Sequence, residues 1–282
     1  MDFKNAHELL ELCKAGECPI SDIMKKRECD LGETTPEAIN TRMKHALEIM
    51  RASAARPIKS PEKSMGGLIG GEAAKLSAHH LIGNGICGNV LSRGITYAMA
   101  VLEVNASMGL IVAAPTAGSS GIVPGLLLSL QEEYHIPEEH LIDALFNAGA
   151  IGYLAMRNAT VAGAVGGCQA EVGTAAAMAA SAAVELMGGK PEQCLDAAST
   201  VLMNMLGLVC DPVSGLVEYP CQNRNAAGVA NALIAAELSL SGIKQLISLD
   251  EMINAMYSVG KRMPAELRET AMGGCAVCRL NQ

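Results

Sequence analysis

Ten cysteines in 282 residues are the first chemical signal in this chain, and three of them stand in glycine- and proline-rich surroundings. Cys168 lies in GAVGGCQAEVG (163–173), and Cys210 and Cys221 bracket DPVSGLVEYP within CDPVSGLVEYPCQNRNAAG (210–228). A third island, PTAGSSG (115–121), carries hydroxyls in place of thiols. Each island precedes a helical pattern, and helix N-termini expose backbone N–H groups that suit anions. Thiolates placed there have lowered pKa values and bind soft metals or iron–sulfur clusters. Three thiolates leave one position of a [4Fe–4S] cluster open, and an iron with an open position is a Lewis acid rather than an electron carrier. A lone Cys168 at a helix start is more often packing than ligand, since Cys is among the most buried residue types. By itself PTAGSSG is equally a tight turn with a Ser N-cap. It is not a phosphate P-loop, because no Gly-Lys-Ser/Thr follows it.

The elements that must position these islands are helices. Only 2 Phe, 5 Tyr and no Trp accompany 29 Gly and 16 Met, so small side chains must let helices approach closely. The expected fold is mainly α, a compact multi-helix catalytic domain whose Gly-rich loops converge on a cluster site. Helical patterns cover about 5–16, 35–50, 72–82, 89–112, 121–134, 137–151, 170–187, 191–206, 225–240 and 249–262. Thr35 is the expected N-cap of the second, with Pro36 in its first turn. Residues 17–32 read as a hydrophilic connector. The stretch 56–71, with its prolines and glycines, reads as a hinge between an N-terminal helical arm (1–55) and the catalytic domain with its C-terminal tail (72–282).

A net charge of -8 argues against a broad nucleic-acid surface and favours a small-molecule substrate. The uncharged run 104–131 is interrupted by Pro115, Thr116, Ser119, Ser120 and Pro124, which argues against a membrane span. The first residues lack the basic-then-apolar pattern of a leader, so a cytoplasmic location is expected. Thiols stay reduced there, and metal binding, catalysis or burial then explains the cysteines better than disulfides.

The phrases GGCQAEVG, GLVCDPVSGLVEYPCQNRNAAG, RETAMGG, APTAGSSGIVP and LIGGEAAKL together resemble the α subunit of the bacterial iron–sulfur L-serine dehydratases, over nearly all of residues 20–274. The resemblance implies a [4Fe–4S] cluster with Cys168, Cys210 and Cys221 each holding one iron, and conversion of L-serine to pyruvate and ammonia in amino-acid catabolism and gluconeogenesis. It also implies a separate β subunit, because the family's single-chain members carry a further domain with a Ser-Ser-Ser-His-Thr phrase that has no counterpart here.

For such a reaction the substrate carboxylate needs an N–H-rich or cationic seat. The start of the helix after Ser119, Ser120 and Gly121 is the first candidate, with Thr116 and Gly118 shaping the loop. Lys75, Asn223 and Arg224 are further substrate-binding candidates, each equally readable as a structural partner. No residue stands out as the general base. His79, His80, His135 and His140 read as surface or packing residues, and the β subunit is the expected source. Cys13, Cys18, Cys29, Cys87 and Cys194 are expected to lie outside the cluster cavity. The tail GGCAVCRLNQ holds Cys275 and Cys278, and single-chain relatives end on a Cys that can return to the cluster. Here Gln282 is last, and Cys278 is the candidate weak fourth ligand. Two other readings stand beside this one: a cluster-dependent lyase acting on cysteine or threonine, and a structural protein with merely buried cysteines.

Overall fold

The computed structural model describes residues 2–280, and Gln282 lies outside them. Among the described residues there are twelve α-helices: α1 (Ala6–Gly16), α2 (Ile20–Gly32), α3 (Pro36–Lys59), α4 (Glu72–Leu81), α5 (Gly88–Ala106), α6 (Ile122–Tyr134), α7 (Glu138–Asn158), α8 (Gly163–Gly166), α9 (Thr174–Leu186), α10 (Pro191–Asn204), α11 (Cys221–Leu240) and α12 (Leu249–Arg262). No strand occurs among those residues, only an isolated parallel bridge between Cys210 and Arg268. The mainly α expectation holds.

The centre is α9, TAAAMAASAAVEL, buried without a break from Thr174 to Val184. Alanine keeps this helix thin, so α6, α7, α10 and α11 all pack directly on it. A second close crossing joins α5 to α6. A Cβ on Gly94 would lie 2.9 Å from a Val229 methyl, and one on Gly125 would lie 2.7 Å from the Gly94 carbonyl oxygen, so only glycine permits this approach. The crossing fixes where PTAGSSG, just before α6, can sit.

Residues 17–32 differ from the expected connector, because Ile20–Gly32 is helical. Its face of Ile20, Ile23, Met24 and Arg27 is buried, and α2 packs on α7. Arg27 neutralises its charge on Asp2 (2.8 Å) and stacks 3.8 Å from the Tyr153 ring centroid. Thr35 caps α3 as expected, accepting the Ala38 N–H at 3.3 Å, with Pro36 at the first position. The expected 89–112 helix ends early at Ala106, because Met108 takes φ +63° and the Gly109 N–H turns back to Val104 O (2.8 Å). Residues 109–114 are therefore loop rather than helix.

Segment 60–71 is tied to the Cys210–Cys221 loop. The buried Glu218 carboxylate accepts from Ser64 Oγ (2.6 Å), Gly66 N (2.6 Å) and Leu68 N (3.0 Å). One apolar cluster contains Phe3, Leu9 and Ile20 from the N-terminal region together with Val184 and Cys194 from the central helices. Among the described residues no helix is long and apolar enough to cross a membrane.

Candidate metal and substrate site

Cys168 sits at the start of an irregular turn. Gly167 precedes it with φ +74°, and a Cβ there would lie 2.8 Å from both Leu208 O and Met263 Sδ, so the chain can enter only as glycine. After Cys168 one π-turn, Gln169–Gly173, leads into α9; such bulges recur at functional sites. Gln169 anchors the turn, donating from Nε2 to Met256 O (2.8 Å) and accepting from Gly207 N (2.8 Å). Cys210 is held by the bridge to 267–269, its N–H donating to Leu267 O (2.9 Å) and its carbonyl accepting from Glu269 N (2.6 Å).

The Cys168 and Cys210 sulfurs and a Glu171 oxygen all lie within 4.8 Å of one another. Cys168 and Cys210 are each 2% exposed and Cys221 7%, so water does little to stabilise charge on any of them. A hydrogen bond from Cys210, opposed by burial and helped by the Arg224 charge, holds Cys168 below the ordinary thiol range. Cys210 is pushed up by that same pairing and by burial. Burial, then the Cys168 charge, pushes Cys221 up to about 12. Cys168 and Cys210 are thus direct neighbours, Cys221 feels the charge of Cys168 without joining their 4.8 Å group, and Cys168 is the thiol whose charged form is favoured.

Arg224 supports that thiolate. Its Nη1 donates to Val209 O (2.9 Å), approaches Cys168 Sγ (3.5 Å) and forms an ion pair with Asp211 Oδ1 (2.6 Å). Asp211 is opposed by burial but held below the usual carboxylate range by the Cys275 N–H and Arg224. The tail docks through this aspartate, Cys275 N donating to Oδ2 at 2.6 Å. Cys278 is exposed, with Sγ on Gly274 O (3.5 Å), so the tail meets the site through Cys275 rather than Cys278.

PTAGSSG lies against the same region. Ser119 and Ser120 are fully buried, and Ser119 Oγ is 3.0 Å from Thr116 Oγ1. The Gly121 N–H is already given to Asn225 Oδ1 (3.1 Å), while Asn225 Nδ2 donates to Gly118 O (2.8 Å) and Cys221 O (2.9 Å). Gly118 faces Glu171: a Cβ at 118 would be 3.7 Å from Glu171 Oε1. Lys75 and Asn223 are both exposed, and neither hydrogen bond nor ion pair joins them to the thiols among the described residues. His79, His135 and His140 are exposed, and the charged side chains acting on the three thiols are Arg224, Glu171 and Glu269, with no imidazole among them.

Sequence reasoning missed Glu171, Asp211 and Asn225. Glu171 follows Cys168 by three positions, a spacing that shares one face of a helical turn. Asn225 follows Cys221 by four, which stacks it over that residue, whereas Asn223 at two points away. Both signals were present in the phrases GGCQAEVG and CQNRN.

Comparison with known proteins gives this arrangement a family. The serine dehydratase alpha chain profile matches residues 15–276. The chain is 48% identical over 274 residues to the probable L-serine dehydratase, alpha chain, of Bacillus subtilis, covering 97% of this chain and 91% of that one. It is 42% identical over 280 residues to the L-serine dehydratase, alpha chain, of Peptoniphilus asaccharolyticus, covering 99% and 96%. L-serine dehydratase 1 of Escherichia coli is 36% identical over 281 residues, and there the match takes up 98% of this chain but 62% of the other. The chain that brings Cys168, Cys210 and Glu171 together is thus a member of the serine dehydratase alpha chain family.

Proposed function

We propose that this chain is the cluster-carrying subunit of an L-serine ammonia-lyase, converting L-serine to pyruvate and ammonia with a β subunit in the cytoplasm. The observation that carries the reading is the meeting of buried thiols with Arg224 and Glu171 in a family whose relatives are named L-serine dehydratases. The alpha-chain names of the relatives support a second subunit.

The donor set fits a [4Fe–4S] cluster. Its chemistry calls for soft, buried sulfur ligands, which Cys168, Cys210 and Cys221 supply, and Arg224 beside Cys168 adds a charge that favours the thiolate there. Gly163 adds a cradle, since a Cβ there would come within 3.0 Å of Cys210 Sγ and 2.5 Å of Glu171 Oε2. When bound, such a cluster supplies a Lewis acid for the departing substrate hydroxyl.

The chain's own residues bind and orient. Arg224 neutralises ligand charge, and its pairing with Asp211 keeps the guanidinium aimed at Cys168. The loop from Thr116 to Gly121, held by Asn225, forms the wall facing Glu171 and is the proposed seat of the substrate carboxylate. Loss of the α-proton and the hydroxyl gives 2-aminoacrylate and water. Its imine tautomer takes up water to give pyruvate and ammonia. The base for the α-proton is assigned to the β subunit. Replacing Cys168, Cys210 or Cys221 by Ser in the anaerobically reconstituted α–β protein is expected to lower bound iron and abolish pyruvate formation together. Cys29→Ser and Cys87→Ser are expected to keep both. Full iron and full activity in the first three variants would overturn the proposal.

A further inference from the structure

Glu171 is a half-buried carboxylate without a cation. Its side chain is the point at which the three glycine-rich islands meet: Oε2 lies 3.9 Å from Cys210 Sγ and beside Gly163, Oε1 faces Gly118, and the Thr116 hydroxyl approaches from the loop. Among the described residues no Lys, Arg or His pairs with it, and the charged side chain nearest in effect is another carboxylate, Glu269. Arg224, the guanidinium of this region, is engaged with Asp211, Val209 O and Cys168. A carboxylate removed from water without a counter-charge is costly, and elsewhere this fold meets that cost. Asp211 has Arg224, while Glu218 and Glu103 are each wrapped by three donors.

The geometry points to Glu171 as the residue that receives the α-ammonium group of the amino-acid substrate. This inference rests on the serine ammonia-lyase reading above and names the subsite that selects amino acids within it. A zwitterionic amino acid needs two opposite seats. An anion seat in the Thr116–Gly121 loop and a cation seat at Glu171 lie on facing walls, because Gly118 of that loop abuts the Glu171 carboxylate. Two glycines let the loops come this close to the carboxylate. A side chain at 163 would collide with Glu171 Oε2, and one at 118 would lean over Oε1. Glu171 thus discriminates between L-serine and the same molecule lacking its amine, while the thiols hold the cluster.

The test uses the anaerobically reconstituted α–β protein and two ligands, L-serine and 3-hydroxypropanoate, which keeps the carboxylate and hydroxyl but has no amine. Binding is followed by perturbation of the cluster's electron paramagnetic resonance in the reduced state, with turnover of L-serine measured in parallel. Wild-type protein is expected to bind L-serine at least ~10-fold more tightly than 3-hydroxypropanoate, a difference of about 1.4 kcal/mol. Glu171→Gln, which keeps the shape and removes the charge, is expected to lose that preference through weaker L-serine binding, with 3-hydroxypropanoate affinity and iron content unchanged. Glu171→Asp is expected to retain part of the preference. Loss of iron in Glu171→Gln would make Glu171 a ligand rather than a receptor and overturn the inference, as would equal weakening of both ligands. A wild-type preference near unity overturns it without any variant. If wild-type protein makes pyruvate but Glu171→Gln keeps the full preference, the subsite is wrong and the function stands. If wild-type protein binds iron and makes no pyruvate, the function itself fails.

Discussion

Asn225 is fully buried and spans two of the three islands, so its truncation should damage both stability and the site. Asn225→Ala removes the acceptor of the Gly121 N–H (3.1 Å) and the donor to Gly118 O (2.8 Å) and Cys221 O (2.9 Å). The Cys221 carbonyl keeps its helical partner, which leaves the Gly121 N–H and the Gly118 carbonyl without theirs. Each orphaned buried group costs about 1–3 kcal/mol, so the expected loss for the two is ~2–6 kcal/mol. At roughly 2 °C per kcal/mol for a chain of this size, the melting temperature should fall by about 4–12 °C. The assay is thermal unfolding under anaerobic conditions beside Asn223→Ala, whose exposed side chain should change stability by no more than ~0.5 kcal/mol. Turnover of L-serine by Asn225→Ala should fall further than its folded fraction explains, because the loop facing Glu171 loses its clamp. An Asn225→Ala protein as stable as Asn223→Ala would refute the reasoning.

Glu218→Ala strips the acceptor from Ser64 Oγ, Gly66 N and Leu68 N, and limited proteolysis should then cut within 60–71, where wild-type protein resists. Burial, against hydrogen bonds from Ser21 and Asn147, raises the Glu185 pKa above 4.5 in the folded chain. The carboxyl's contribution to stability is full below its unfolded value and lost as pH rises through the folded one, so Glu185→Gln should gain on wild type as pH climbs through that window in denaturant titrations. Asp211→Asn weakens the pull on both Arg224 and Cys275 N, and should speed proteolysis of the tail while lowering iron retention. Cys278→Ser should leave iron content and the time course with L-serine unchanged, since its sulfur sits on Gly274 O at the surface.

Much of the fold is legible because helices carry their own punctuation. Thr35-Pro36 marks the start of α3, and the apolar rhythm of 122–134 and 249–262 marks α6 and α12. Helix α2 was hidden by its charges: ISDIMKKRECDLG reads as hydrophilic until Arg27 is seen to bury its stem between Asp2 and Tyr153. The end of α5 was written in Ser107-Met108-Gly109, but the apolar run after it obscured the stop. At the site, the cysteines were legible from the phrases that hold them. Spacing places Glu171 near Cys168 and Asn225 over Cys221, but the roles of Asn225, Asp211 and Glu171 depend also on partners 107, 13 and 39 residues away along the chain, Gly118, Arg224 and Cys210 respectively, which local spacing does not give. The tail's approach through Cys275 depends likewise on Asp211.

In the proposed function this chain forms pyruvate from L-serine by means of an iron–sulfur cluster held on its own thiols. The most direct measurement is pyruvate formation from L-serine by the α–β protein purified anaerobically, with iron and sulfide quantified in the same sample before and after exposure to air. Activity that tracks bound iron, disappears in air, returns on anaerobic addition of iron, sulfide and a thiol, and needs no pyridoxal phosphate is the predicted result. Pyruvate formation indifferent to oxygen and iron chelators and dependent on pyridoxal phosphate would contradict it.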